Sequence, residues 1–472
     1  MTSEKSDEFS ELIDRMISMI SEPLLDDIAL RKELSAVDNE FSPRKQEDPS
    51  RMRLIHLREA MNQRHPSSRF SAGNHQTLVD MPESKGLNVT LAMKDWHHFY
   101  YQPHAMNIAI LTNMSVTAVD AIVRHKLEEW KNIQVTPVPQ FHAEFVSDIK
   151  HNLYNYDELS KAIRVESTIP WFTMMWVIPS QSKYDKMDPL FLMCHMLGRE
   201  GEHSILDVLK KKELARSFNA ASMAIDNKQT QVSIDIEPTS LGVEQWHEMV
   251  LVVFQYLKLI LSLPEDDLKS QLEAIWTPYK YDLESFKGDI CLDPFCILAS
   301  VQSITSNMLT QPSSDWINHN EDVMAIDPTI LKRVVKELKP NNFLVHILSP
   351  DFTSLVETEP HTGAVYNVTQ IDPAFLERLA NPGETQNLSA MVKANKYLVK
   401  ESVEKTGRGF DWKYPKMIDS VGNFSECWFK GGSKHNELKG YITLHLMTSI
   451  PNESAMARQG FETYILETSC FK

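Results

Sequence analysis

Glu33 and Glu40 stand seven residues apart in Arg31-Lys32-Glu33-Leu34-Ser35-Ala36-Val37-Asp38-Asn39-Glu40. That spacing is close to two helical turns, so on a helix both carboxylates project from one side. A hydrolytic zinc site commonly has three protein ligands and a water, and a carboxylate can be the third ligand beside two histidines. A second carboxylate on the same face can accept a hydrogen bond from a ligand histidine and fix its tautomer. Spacing alone equally marks a solvated helix face, which is the commoner use of two glutamates a heptad apart.

A second segment narrows the choice. His65-Pro66-Ser67-Ser68-Arg69-Phe70-Ser71-Ala72-Gly73-Asn74 follows the glutamate pair. Together the two stretches resemble the part of the insulysin/pitrilysin (inverzincin) zinc metallopeptidases that completes the metal site, with its E-x6-E helix and HP-x3-F-x2-GN signature. Tyr100, Tyr101 and Asn107 resemble the Tyr-rich turn before the strand that closes the family's first domain. The resemblance implies an α+β fold of tandem duplicated αβ domains, each a mixed, mostly antiparallel sheet backed by helices. It implies Glu40 as a metal ligand, Glu33 as its supporting companion, and peptides as substrates. In a complete family enzyme two histidines and the glutamate matching Glu40 hold zinc, and the glutamate of His-x-x-Glu-His deprotonates its water for attack on the peptide carbonyl.

That pentad occurs nowhere in the 472 residues. His56-Leu57-Arg58-Glu59-Ala60 comes nearest, with alanine where the second histidine belongs, and His56 is read as an ordinary helical residue. His247-Glu248-Met249-Val250-Leu251 lacks the final histidine of His-Glu-x-x-His. Zinc is therefore expected in the complete family enzyme but not held stably by this chain, which is expected to be inactive alone. The alternative is a non-catalytic peptide-binding subunit, or a heteromeric partner of an active homologue. Pro43 departs from the family helix and is expected to end it within a turn of Glu40.

A relic of the missing helix lies further on. By repeat position, Cys194-His195-Met196-Leu197-Gly198-Arg199-Glu200-Gly201-Glu202-His203-Ser204 occupies the place of the zinc helix in a second copy. Gly198 stands where the base would be and Arg199 where the second histidine would be. A guanidinium stays protonated and cannot ligate zinc. In the family the equivalent segment resembles a wall of the substrate chamber that holds a peptide's amino end. Glu200 keeps an acidic group for that role, and Ala220, within Ser217-Phe218-Asn219-Ala220-Ala221, falls on the strand edge beside it.

Periodicity supplies the elements that carry these residues. Phe9, Leu12, Ile13, Met16, Ile17 and Ile20 mark an amphipathic helix stopped at Pro23. Asp26 or Asp27 can cap a second helix with Leu30, Leu34, Val37 and Phe41 on its apolar side. Residues 102–111 parallel residues 339–348, each a proline followed by a β-rich run, at a domain-sized offset of 237 residues. Residues 168–177 read as an opening strand, and 217–225 with 230–237 as a hairpin. The expected organisation is the back half of a first domain at 1–133, a linker at 134–150, a complete second domain at 151–380, a linker at 381–407, and opening strands of a third domain at 408–472. The chain reads as cut at both ends, and 150–375 is expected to fold without the residues before it.

Composition is that of an ordinary globular protein, 42% apolar and 24% charged. A net charge of −16 argues against nucleic acid. The most apolar run, 249–263, contains Gln255 and Lys258 and is too short to span a bilayer. Five scattered cysteines and a polar amino terminus suit a reducing, cytoplasmic compartment.

Overall fold

The computed structural model describes residues 6–44, 47–130, 150–156, 159–181, 189–226, 228–286, 294–316, 326–384, 387–391, 416–421 and 425–429. The chain opens with three helices, α1 (Ser6–Ser21), α2 (Asp27–Arg44) and α3 (Asp48–Glu59). Asp26 caps α2, its carboxylate accepting the Ala29 amide at 2.8 Å. A π-turn (Gln76–Asp80) runs into α4 (Met81–Ser84), and α5 (Val89–Tyr100) and α6 (Val116–Trp130) follow. Phe9, Ile13 and Ile17 of α1 pack against Val119, Ile122, Val123 and Leu127 of α6, as their helical spacing predicts.

Strands β1 (Lys161–Glu166), β2 (Trp171–Pro179), β3 (Ala215–Ala224), β4 (Gln229–Pro238), β5 (Phe343–Ser349), β6 (Glu357–Thr358) and β7 (Val365–Gln370) form one sheet of order β3-β4-β2-β5-β1-β7-β6. Only β1 and β5 run parallel. The expected hairpin is β3–β4, with Ala220 opposite Ile234. Helices α7 (Pro189–Leu197), α8 (Ile205–Lys211), α9 (Ser240–Glu244), α10 (Trp246–Ser262), α11 (Glu265–Phe286), α12 (Pro294–Thr310), α13 (Pro328–Val335) and α14 (Pro373–Ala380) complete the described helices. The apolar run at 249–263 falls in the largely buried helix α10, and no single described helix is long and apolar enough to cross a membrane.

β2 and β5 are buried almost end to end because the sheet is covered on both sides. Phe172, Met174, Trp176 and Ile178 face a layer containing Met193, Met196, Val250, Phe254 and Leu331. The other face is closed by the earlier part of the chain. Ile55 of α3, fully buried, sits among Ile163, Val165, Leu348 and Tyr366.

Polar anchors hold α3 along its length. At its start, Asp48 Oδ2 accepts from the Ser167 hydroxyl at 2.8 Å, the Thr168 amide at 2.9 Å and the Thr168 hydroxyl at 2.6 Å. Burial opposes ionisation of Asp48, but the hydrogen bonds from Thr168 and Ser167 outweigh it and hold the carboxyl below its usual range. At its end, Glu59 accepts from the Tyr366 hydroxyl at 2.6 Å and its carbonyl accepts from Lys161 Nζ at 3.0 Å. The sheet at 161–370 is thus packed against a helix from residues 48–59, whose hydrogen bonds run to β1, to β7 and to residues 167–168.

One expectation is corrected. Residues 107–111, read as a strand by parallel with β5, are not in a strand and join no ladder among the described residues. Ile110 instead packs on α1. Backbone groups form a strand only where a neighbouring strand receives them. The linker at 134–150 lies outside the described residues save residue 150, and of the stretch 381–407 residues 381–384 and 387–391 are described. There Leu388 and Ala390 are buried in the main core. Residues group into two compact units, 1–277 with 298–394, and 278–297 with 395–472. In the second unit, β8 (Lys416–Val421) and β9 (Ser425–Phe429) pair as an antiparallel hairpin at the expected opening of a third copy, while residues 441–446 lie outside the described residues.

Replacing Ile55 with alanine should lower unfolding stability by about 3 kcal/mol. Urea denaturation followed by the fluorescence of the sheet tryptophans checks this. An unchanged midpoint would mean that the sheet does not need α3.

Candidate metal and peptide-binding sites

Glu33 and Glu40 are both exposed on α2, while Leu30, Leu34 and Phe41 are buried and Val37 is half-buried. The helix runs through Pro43 and stops at Arg44, one turn beyond Glu40, as the proline predicts. Neither carboxylate has a hydrogen bond or ion pair among the described residues.

The histidine-proline signature is what seats this helix. Phe70 meets Phe41 edge-on at 5.0 Å between ring centres and stacks on His361 at 4.2 Å. His65 is buried and takes the Ser67 amide on Nδ1 at 3.2 Å, starting the 3-10 turn Pro66–Ser68. Gly73 adopts φ +77, and a Cβ there would lie 2.6 Å from Leu78 Cδ1, so both conformation and space call for glycine. Asn74 then caps the next turn by accepting the Thr77 amide at 2.9 Å, and the His75 amide donates to Asp38 of α2 at 2.9 Å. Phe70 on Phe41 and the His75 amide on Asp38 link the segment to α2, while His65, Gly73 and Asn74 shape its own turns; the Glu33–Glu40 face is left outward.

Among the described residues no group of three histidine, cysteine, aspartate or glutamate side chains could hold a metal ion. A hydrolytic zinc needs three such donors, and Glu40 is one.

The second candidate region lies at the end of α7. Gly198 abuts the edge strand: a Cβ there would sit 3.1 Å from the Cys194 carbonyl and 3.5 Å from the Ala220 amide nitrogen. Glu200 is exposed two residues later, so the loop that carries it and the strand that carries Ala220 are neighbours, as expected. Among the described residues β3 pairs only with β4, and no described strand lies on its other edge. Ala220 itself packs half-buried against the core.

Arg199 is engaged elsewhere. Its guanidinium donates to the Met391 and Ser389 carbonyls, each at 2.7 Å, and the Tyr256 hydroxyl of α10 donates nearby to the Met196 carbonyl at 3.0 Å. The Ser389 amide donates to the His203 carbonyl at 2.9 Å. The segment around Arg199 clasps residues 387–391. Sequence reasoning excluded Arg199 as a ligand but missed this use, because the partners are backbone carbonyls almost 200 residues away.

A further group was missed. His56 is half-buried but not an ordinary helical residue: its Nδ1 lies 3.2 Å from His346 Nε2 and its Nε2 lies 2.8 Å from the Tyr154 hydroxyl. The available signal was His346 itself, a polar residue inside Phe343-Leu344-Val345-His346-Ile347-Leu348, which has to find a buried partner.

Replacing Arg199 with methionine should raise hydrogen exchange at residues 387–391 by roughly tenfold or more, from loss of charged hydrogen bonds. Exchange mass spectrometry of that peptide, with α10 as internal reference, checks this.

Comparison with known proteins accords with these features. Residues 91–274 match the family model described as the peptidase M16 inactive domain, and residues 297–465 match the middle or third domain of peptidase M16. Nardilysin of Rattus norvegicus is 23% identical over 464 residues, 97% of this chain and 38% of the relative. The peroxisomal insulin-degrading enzyme-like 1 of Arabidopsis thaliana is 24% identical over 444 residues, 93% of this chain and 43% of the relative. The crystal structure of pitrilysin superposes with a TM-score of 0.69 at 21% identity, covering 89% of this chain and 42% of that one. The chain thus spans about two fifths of the length of these relatives. It belongs to the insulysin/pitrilysin-type peptidase M16 family.

Proposed function

We propose that this chain is the peptide-holding part of an insulysin-like zinc metalloendopeptidase, and that by itself it does not hydrolyse peptides. The observation that carries the reading is Glu40: a carboxylate kept exposed on a helix that its signature segment seats in place, with no histidine beside it. One carboxylate holds zinc too weakly to generate a metal-bound nucleophile. On this reading Glu33 supports the ligand face, and the metal in a complete enzyme needs two further donors.

The peptide-binding half of the proposal rests on β3. An extended peptide can add to its open edge through main-chain hydrogen bonds, with Glu200 near enough to meet a peptide's ammonium group and Ala220 small enough to admit its backbone.

The alternative, a non-catalytic partner of an active homologue, is favoured by one feature. Leu24, Ile28, Leu91, Trp96 and Val116 are exposed on the amino-terminal helices and the segments flanking them, a set of apolar side chains of the kind a partner covers. Both readings suit a reducing, cytoplasmic setting.

Metal analysis after equilibrium dialysis, with a fluorogenic peptide assay on the same sample, tests the proposal. Substoichiometric zinc and no hydrolysis are expected. One zinc per chain with hydrolysis abolished by Glu40→Gln would overturn it. Co-purification with a complete homologue would select the partner reading.

A further inference from the structure

Three polar side chains lie in line between helix α3 and the sheet it covers. The Tyr154 hydroxyl meets His56 Nε2 at 2.8 Å, His56 Nδ1 meets His346 Nε2 at 3.2 Å, and His346 Nδ1 is buried without a partner. Three groups share the sites, and in either direction the chain leaves at least one polar atom unmatched. If Tyr154 donates to His56, then His56 donates to His346 and the His346 Nδ1–H has no acceptor. If the chain runs the other way, the His346 Nδ1 lone pair and the tyrosine proton are left unmatched. Both rings are neutral in either arrangement.

We propose that the His56–His346 pair is an acid-sensitive latch whose protonation releases helix α3 from the sheet. An added proton makes His56 a cation donating at both nitrogens, and among the described residues neither His56 nor His346 is hydrogen-bonded to a carboxylate that could balance it. Three charged side chains on the surrounding elements have other partners. On α3 itself Glu59 accepts from Tyr366 of β7, and on β1 Lys161 donates to the Glu59 carbonyl. On β4 Asp235 accepts from Thr173 of β2, the residue beside His346, and from Trp171. Tyr154 stays protonated, since burial raises its pKa. A second proton would set two N–H groups facing each other across the 3.2 Å contact. The charge is relieved by moving α3 away from β5.

The direction of the pH effect follows. Burial holds the His56 pKa down to about 4, and burial with the His56 charge holds His346 well below its ordinary value. A histidine whose pKa is lower when docked binds its proton better when released. Docking is therefore fully favoured above the free value of 6.5 and weakens as pH falls toward about 4. Because Phe41 of α2 packs on Leu54 and Leu57 of α3, release also frees the helix that carries Glu40. The latch does not depend on the function assigned to Glu40.

Hydrogen exchange of the full chain, corrected for intrinsic rate and compared at about pH 7 and about pH 4.5, tests the latch in the peptide spanning residues 48–60. His56 alone should reduce protection roughly 50-fold between those conditions, with α10 still protected. In His346→Leu, or in His346→Gln should the first fail to fold, the fall should shrink severalfold. Unchanged protection in the wild type, an equal fall in the variant, or loss of α10 together with α3 would each overturn the proposal.

Discussion

The structure depends on one constraint: a sheet whose central strands are apolar on both faces has to be covered twice. β2 and β5 bury both sets of alternating side chains, so helices on one side cannot suffice. The chain supplies one layer from α7, α8, α10 and α13 and the other from α3, more than 100 residues upstream of the nearest strand. Desolvated ladder bonds in β2 and β5 gain strength only if water stays out of both faces. α3 is accordingly held by its apolar stripe and by specific polar groups at its start, middle and end. These fix its rotation as well as its position, since Ile55 and His56 point to neighbouring parts of the sheet.

This arrangement decides where the candidate metal ligand goes. α2 does not touch the sheet core. It reaches it through Phe41, which shares a cluster with Leu54, Leu57 and Phe70. The placement of Glu40 is therefore indirect: the sheet holds α3, α3 and the His65–Asn74 segment hold α2, and α2 presents its acidic face to solvent. A carboxylate at the outer end of such a chain is available to donors from elsewhere. It is not assembled into a site by the described residues.

Much of this was legible in the sequence, for reasons that local residues explain. α1 and the capped start of α2 follow from apolar spacing and from Asp26, because helix periodicity and caps are short-range. The β3–β4 hairpin follows from two strand-like runs around a polar turn. The strand expected at 107–111 failed for the opposite reason: its residues suit a strand, but a strand exists only as part of a ladder, and no described strand is its neighbour. The role of α3 was invisible because nothing in Asp48–Glu59 names Ser167, Tyr366 or His346 as its partners. The acidic pair and its signature were recognisable as a pattern. What the signature does physically, packing Phe70 on Phe41 and turning at Gly73, needed coordinates.

Arg199 shows how such a helix can lose one chemistry and keep another. Where a metal ligand must offer a lone pair, a guanidinium offers only donors. At the carboxyl end of a helix and beside an outgoing segment, the groups in need of partners are carbonyls, and a planar cation with several N–H groups suits them better than an imidazole. Here two carbonyls of residues 389 and 391 are taken up together. Leu388 and Ala390, between and beside those carbonyls, can then turn into the core. A neutral histidine at this position would supply at most one donor where the backbone asks for two, so the packing of residues 387–391 favours an arginine here.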